Sequence, residues 1–284
     1  MIEVRPYRPR FAAQVFGLPP GARLSPEEAN ALRQAWLDYG VVIVRGLHYG
    51  DDDLVAVSRV FGEPELAPAS ERQARGGGLR PDVWVVSNVI ENGRPIGSLG
   101  YGEAEWHSDM SYLAEPPTAS LLYALEVPLE GGDTWFADMA AAHEALAPDL
   151  KAAIAGTRIN HPSSLTSTGD LRHGANRPAD VRSAPGTLHP AVKVHAETGR
   201  AVLFLGRRRW ARIEGLGDAG SEDLLDRLWA QATSPDFVHI HRWQVGDLVI
   251  WDNRRVLHRR DAFDPTARRV MHRTQVRGST AAHG

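Results

Sequence analysis

Glu105-Trp106-His107-Ser108-Asp109-Met110-Ser111-Tyr112 is the stretch on which the reading of this chain turns. On an extended segment, residues two apart point to the same face, so His107 and Asp109 would present an imidazole and a carboxylate side by side. Such a pair can share one metal ion. With a second histidine from elsewhere it becomes the 2-His-1-carboxylate facial triad, which leaves positions on iron(II) open for a co-substrate and for oxygen. A His-x-Asp triplet arises by chance in many chains, so the rest of the sequence must supply the missing parts.

The bulk numbers restrict the chemistry. The chain has 284 residues, 43% hydrophobic and 24% charged, the balance of a soluble globular protein. Its formal charge is 32 − 35 = −3, which offers no basic field for nucleic acid. Cysteine is absent, so disulfides, thiolate zinc sites, iron–sulfur clusters and a cysteine nucleophile are excluded, and any metal must sit on nitrogen and oxygen ligands. Met1 to Pro6 has no apolar signal region, and no apolar run approaches the roughly 20 residues of a membrane span. The expectation is a cytoplasmic protein with no membrane and no nucleic-acid partner. Residues 251–284 carry eight arginines, no lysine and three acids. The plain reading of these arginines is a solvated surface; the sharper one is binding of small anions, which the planar guanidinium fork suits.

Local patterns indicate one domain over 1–284, mainly β with helical insertions. Ser25-Pro26-Glu27-Glu28 combines an N-cap serine, a proline at the first helical position and a glutamate three residues after the cap, predicting a helix to about Tyr39 with Gly40 as its stop. Val41 to Val44 reads as a buried strand, as do Val83 to Val86, Ala119 to Val127, Ala201 to Leu205, Asp247 to Trp251 and Arg268 to Val276. Helices are expected over Asp51 to Phe61, 138–155 and about Ser221 to Thr233. Residues 163–188, rich in Ser, Gly, Arg, Asn and Pro, read as a long mobile loop or lid.

The second histidine is open on spacing alone. His258 follows an apolar strand and the turn-prone Asp252-Asn253, close to another strand. His239 and His241 share a strand face and compete with it. In the last strand, alternation puts Arg269, Met271, Arg273 and Gln275 on one face. Arg269 and Arg273 are then about 13 Å apart at about 3.3 Å per residue. Two such arginines inside a sheet need anionic partners, and two small anions around a shared metal fit that separation. On an edge strand both would be in solvent.

With these features in place the chain resembles the iron(II)/2-oxoglutarate-dependent dioxygenases of the taurine dioxygenase family, which includes the 2,4-dichlorophenoxyacetate dioxygenases. The matching segments are Trp106-His107-Ser108-Asp109, Gly131-Gly132-Asp133-Thr134, His189-Pro190 with His195-Ala196-Glu197-Thr198-Gly199-Arg200, Gly246 to Arg254, and Arg268 to Arg273, in the family's order from about residue 40 to 277. The resemblance implies a double-stranded β-helix, or jelly roll, with helices outside. It implies His107, Asp109 and His258 as iron ligands, Arg269 and Thr134 as the residues that bind 2-oxoglutarate, and Arg273 as the anchor for an anionic group of the prime substrate. Trp251 and Asn253 match positions that support the site. The implied cofactor is iron(II), with 2-oxoglutarate and O2 as co-substrates, and the implied assembly is a homo-oligomer, a dimer or tetramer.

The reaction implied is hydroxylation of an aliphatic C–H in a small carboxylate or sulfonate, with succinate and carbon dioxide as co-products. Related halogenases lack the carboxylate ligand, so Asp109 favours hydroxylation. A hydroxyl placed beside an ether oxygen or sulfonate would lead to C–O or C–S cleavage; otherwise a stable alcohol remains, and natural-product tailoring stays open. Asn88, Tyr112, Tyr101, Glu103 and Leu205 are candidate pocket walls by position. The stretch from Glu65 to Asp82, with Gly76-Gly77-Gly78, matches neither branch of the family, and specificity is expected to depend on it. Two rival readings remain: a cupin-like metal enzyme that needs neither 2-oxoglutarate nor Arg269, and a non-catalytic barrel binding module, which would tolerate loss of a ligand.

Overall fold

Ser25 starts the first long helix in the way its neighbours predict. Its Oγ accepts from the Glu28 amide at 3.3 Å, and the Glu28 carboxylate accepts from the Ser25 amide at 3.0 Å. This reciprocal pair satisfies amides that a helix N-terminus otherwise leaves open. The helix spans Pro26–Tyr39 and stops at Gly40, whose φ of 71° is the left-handed conformation that glycine adopts without a Cβ penalty. The chain then enters Val41–Val44, buried at all four positions. The structure is a computed structural model and describes residues 1–67, 80–172, 174–180 and 183–278.

Two sheets organise the site. The larger has eight strands in the spatial order Glu3–Arg8, Phe11–Phe16, Val41–Val44, Leu248–Asp252, Ala119–Glu126, Val270–Val276, Trp84–Ser87, Ser98–Leu99. The smaller has four, in the order Val238–His241, Thr134–Asp138, Val256–Arg260, Ala104–His107. Successive strands change sheet: Ala119–Glu126 is followed by Thr134–Asp138, Leu248–Asp252 by Val256–Arg260, and that by Val270–Val276. Phe136 and Val256 from the smaller sheet pack with Leu122, Val249, Trp251 and Met271 from the larger one, so an apolar layer fills the space between them. Full burial of a large apolar side chain contributes roughly 1.5–3 kcal/mol.

Helices cover the outside. Leu32 and Trp36 of Pro26–Tyr39 and Leu54 and Val57 of Asp51–Ser58 pack with Val42, Leu121 and Ile250 of the larger sheet. A separate cluster joins Met139–Glu144, Pro148–Ile154 and Asp218–Ala232 to Ile159, Leu203 and Leu257. The protein is mainly β, with helices packed against the sheets. Among the described residues no helix is long and apolar enough to cross a membrane.

Several expectations shift in detail. The helix expected over 138–155 is two, because Pro148 cannot continue a helix and instead begins the second one. The helix expected to Phe61 ends at Ser58. The hairpin of Glu3–Arg8 and Phe11–Phe16 was not anticipated: its outer strand is charged, carries Pro6 and lies on the sheet edge. The 163–188 stretch carries a bridge between Leu165 and Leu171 and ends in the strand Gly186–Pro190. Part of it lies against Ala104–His107, where the Glu105 amide donates to the Ser167 carbonyl at 2.9 Å. Residues 173, 181 and 182 of that stretch, and 68–79 with the three consecutive glycines, lie outside the described residues.

Candidate metal centre

The two histidines of the centre face each other because their strands pair. His107 ends Ala104–His107 and is opposite His258 in Val256–Arg260. Their ring centroids are 4.2 Å apart. Asp109 arrives differently from the same-face alternation expected of an extended segment. The strand ends at His107, and Asp109 lies in the turn that follows, where Met110 takes a φ of 48°. The chain bends back, so His107, Asp109 and His258, all buried, form a group whose ligand atoms lie within 4.8 Å of one another.

Each ligand is oriented by a second contact. His107 Nδ1 donates to the Glu105 carbonyl at 2.7 Å, which leaves the Nε2 lone pair free. His258 is flanked by Trp251, with ring centroids 4.9 Å apart, and by Phe136 at 6.2 Å. Asp109 Oδ1 is 3.6 Å from His107 Nε2 and 3.7 Å from His258 Nε2. Its Oδ2 accepts from Ser120 Oγ at 2.8 Å and is in contact with Arg273 Nη2. Asn253 ties the turn down: its Oδ1 accepts from the Asp109 amide at 2.7 Å, and its Nδ2 donates to the carbonyls of Asp109 and Pro117 at 2.9 and 3.0 Å. Trp251 and Asn253 thus support the site as expected.

Charge follows from this packing. Burial pushes the Asp109 carboxyl up, but Arg273, His258 and His107 outweigh it and hold the group well below the usual carboxylate range. Burial, reinforced by His107, holds His258 far below its ordinary value, so it is neutral near pH 7. One imidazole nitrogen from each of two histidines and one carboxylate oxygen, converging on a single point, are the donor set that fits iron(II). His239 and His241 lie on Val238–His241, separated from Ala104–His107 by two strands, and do not join the group.

A cationic compartment adjoins the centre. Gly131 and Gly132 have φ of 75° and 69°, and a Cβ on Gly131 would come within 2.8 Å of the Ala262 carbonyl oxygen. The glycines let the chain pass under 262–263 and deliver Thr134 at the start of its strand. Trp243 Nε1 donates to Thr134 Oγ1 at 2.9 Å. Arg269 is 2% exposed, with its guanidinium 5.9 Å from the Trp243 ring and 6.0 Å from that of Phe263. Among the described residues no carboxylate pairs with it, and burial, then Arg260, pushes it down to about 9. Val270–Val276 lies between two strands, so the edge-strand alternative for its arginines falls.

The proposed wall residues fare unevenly. Asn88 uses both ends of its amide on backbone: Oδ1 accepts from the Arg269 amide at 3.0 Å and Nδ2 donates to the Ala267 carbonyl at 2.8 Å. It braces Arg269. Tyr112 lies under Arg172, with 4.5 Å from the guanidinium carbon to the ring centroid. Leu205 is in the apolar core, Glu103 is paired with Arg259, and Tyr101 is exposed. Ser120, Trp243 and Arg207 were not singled out from the sequence. A serine inside the apolar run Ala119–Glu126 was the one available sign of the first.

Comparison with known proteins bears on what this arrangement is. The sequence matches the family described as "Taurine catabolism dioxygenase TauD, TfdA family" over residues 3–275. It is 34% identical over 280 residues to the alpha-ketoglutarate-dependent 2,4-dichlorophenoxyacetate dioxygenase of Burkholderia sp. (strain RASC), across 95% of this chain and 92% of that protein. It is 34% identical over 276 residues to the pentalenolactone F synthase of Streptomyces arenae, across 88% of each. The crystal structure of AAD-2 in complex with Mn(II) and N-oxalylglycine is similar with a TM-score of 0.79 and 30% identity, covering 98% of both chains. Because the match runs through every residue of the centre from His107 to Arg273, the chain belongs to the TauD, TfdA family and is a 2-oxoglutarate-dependent non-haem iron dioxygenase.

Proposed function

We propose that this enzyme hydroxylates an aliphatic C–H of a small molecule bearing a carboxylate or sulfonate, on a single domain whose paired sheets form a double-stranded β-helix. Arg269 carries the reading. A buried cation that has no carboxylate partner among the described residues, by the same Trp243 ring that donates to Thr134, calls for a small anion. The far carboxylate of 2-oxoglutarate meets that need. N-oxalylglycine, present in the AAD-2 structure, has the same oxo-acid head and far carboxylate.

In this reading Nε2 of His107 and His258 and Oδ1 of Asp109 hold iron(II). With 2-oxoglutarate bound, the metal supplies oxygen activation and C–H hydroxylation, and succinate and carbon dioxide leave as co-products. The residues do the rest. Arg269 pairs with the far carboxylate, and Asn88 fixes the backbone that carries it. Thr134 accepts from Trp243 and so keeps its own proton for the same carboxylate. Trp243 and Phe263 shield this ion pair from water. Arg273 Nε is buried without a partner among the described residues and is free to donate to the substrate's acidic group; Tyr112, under Arg172, is a further substrate-binding candidate. Asp109 fills the third protein position, which favours hydroxylation over halogenation. The names of the relatives suit both outcomes for the product, cleavage beside an ether oxygen and natural-product tailoring.

The test is spectroscopic first. Iron(II) and 2-oxoglutarate without oxygen should give a visible charge-transfer band that His258→Ala abolishes. Absence of the band in the wild type would favour a cupin-like metal enzyme that does not use 2-oxoglutarate. A panel of carboxylates and sulfonates, scored by substrate-dependent succinate release, then tests the substrate class. Arg273→Ala should raise the KM of active members more than that of 2-oxoglutarate, and the visible band reports whether Asp109, which Arg273 touches, still holds the metal.

A further inference from the structure

The reading above uses two buried guanidinium groups, those of Arg269 and Arg273. Another, unused so far, belongs to Arg207. Its backbone forms a bridge with His107, and the Gly206 carbonyl accepts from the Ser108 amide at 2.9 Å, so residue 207 is anchored against the ligand-bearing segment. The side chain is 6% exposed, and Nη1 has no hydrogen-bond partner among the described residues. A buried guanidinium with an open N–H is costly unless an acceptor arrives.

The charged and titratable groups that act on Arg207 are Arg172, Glu105, Asp109 and Tyr112, with His258 of the metal centre. Neither acid is available. Glu105 Oε1 is paired with Arg209 Nη2 at 2.9 Å, and Asp109 is committed to Ser120, Arg273 and the metal position. Arg172 adds a second positive charge, held by its Nε donating to the Leu165 carbonyl at 3.0 Å and by the Tyr112 ring. Burial, then Arg172, pushes the Arg207 guanidinium down to about 10. Iron(II), Asp109, 2-oxoglutarate, Arg269, Arg273 and Arg207 together retain two positive charges, before Arg172 and the Arg260 guanidinium close to Arg269 are added. A monoanionic substrate leaves one of them uncompensated in a site shielded from water.

We propose that Arg207 and Arg172 form a second anion site beside the metal centre, and that the prime substrate carries two acidic groups, one for Arg273 and one for this pair. The proposal rests on the reading of Arg273 as a substrate anchor. Carboxylate and sulfonate both match two guanidinium forks presented together. The reacting carbon then lies between two fixed ends, which orients it without any need for an apolar pocket of matching shape.

The experiment uses enzyme loaded with iron(II) and saturating 2-oxoglutarate, without oxygen. It is titrated calorimetrically with matched pairs: hexanoate against adipate, octanoate against suberate, and 3-phenylpropionate against 3-(4-carboxyphenyl)propionate. A diacid should bind tighter than its monoacid by about tenfold or more, the scale of a charge-assisted hydrogen bond. Arg207→Met and Arg172→Met should close that gap, and Arg207→Lys should keep part of it. The visible band reports whether each variant still assembles its metal site. Where Arg207→Met loses the band, Arg172→Met, farther from the ligands, carries the comparison. Equal binding within every pair by the wild type, including no binding of either member, overturns the proposal. So does an equal loss for both members in the variants. Preferred diacids that release no succinate when oxygen is admitted would leave the anion site standing and count against the hydroxylation reading.

Discussion

Arg273 and Asp109 share one carboxylate oxygen's environment. Arg273 Nη2 lies against Asp109 Oδ2, and this leaves Oδ1 facing the two imidazole Nε2 atoms at 3.6 and 3.7 Å. Ser120 completes the orientation. Its hydroxyl donates to Oδ2 at 2.8 Å and accepts from Gln275 Nε2 at 3.1 Å. The last strand therefore acts on the metal position through a carboxylate that it does not itself carry.

Ser120→Ala should weaken iron(II) binding by about tenfold, the lower end of what loss of a ligand-orienting partner costs. Competition against a coloured chelator measures this directly. An unchanged affinity would mean that Arg273 alone fixes the carboxylate.

Arg269→Met tests the co-substrate compartment from two sides. Methionine fills much of the same volume without the buried charge, so the protein free of 2-oxoglutarate should be as stable as the wild type or more so. The thermal shift that 2-oxoglutarate gives the wild type should vanish, and KM for 2-oxoglutarate should rise about a hundredfold, the scale of a lost buried charge pair. A destabilised variant that still responds to 2-oxoglutarate would contradict the assignment.

What was legible beforehand divides by range. The Ser25 cap and the Gly40 stop are local, and both appear in the structure; of the two arginines expected on one strand face, Arg273 lies in Val270–Val276 and Arg269 just before it, ahead of a register shift at Val270 and Met271. The ligand pair His107 and Asp109 was legible as a pair, though it forms through a turn and not through strand alternation. His258 could not be chosen over His239 and His241 by spacing, because strand pairing across about 150 residues of chain decides it. Ser120 and Arg207 stayed hidden for the same reason. Their roles come from what the fold sets opposite them, and neither sits in a telling local pattern. The outer N-terminal strand was missed because an edge strand reads as charged and proline-bearing, like a loop.

Asn253 joins the turn that carries Asp109 to the start of Val256–Arg260. Its amide meets the Asp109 amide and carbonyl and the Pro117 carbonyl, and its oxygen also accepts from Ser108 Oγ at 3.1 Å. Asn253→Ala leaves several buried polar groups unsatisfied, and the expected loss is about 3 kcal/mol of unfolding free energy. Urea denaturation measures it. Asn253→Asp keeps the acceptor and replaces the donor, so it should lose the contacts to the two carbonyls and bring a second negative charge beside Asp109. A loss as large as alanine's would show that the donating half of the amide matters most.

Three histidines away from the metal set an acid limit on stability. Burial, then the charge of Lys193, pushes His189 from 6.5 down to about 4, and burial, then His241, pushes His239 down to about 4. Burial chiefly, with His189, holds His161 well below 6.5. His189 is kept neutral by geometry: Nε2 donates to the Leu113 carbonyl at 2.9 Å, and Nδ1 accepts from Lys193 Nζ at 3.2 Å. As pH falls below about 6.5, the unfolded chain takes up protons at these sites and the folded one does not, until about pH 4 for His189 and His239. Unfolding then binds protons, so stability is full above about pH 6.5 and declines steadily through that window. Asp252 behaves separately. Burial pushes its carboxyl up, but Arg254 and His195 hold it below the usual carboxylate range, so its contribution is lost only as pH falls further. Urea midpoints at pH 7, 5.5 and 4.5, taken on iron-free protein, should therefore fall monotonically. His189→Gln cannot take up a proton and should make that fall shallower, whatever it does to stability at pH 7. A slope unchanged by the substitution would mean that His189 titrates alike in the folded and unfolded chains, and that its pairing with Leu113 and Lys193 does not keep the proton away.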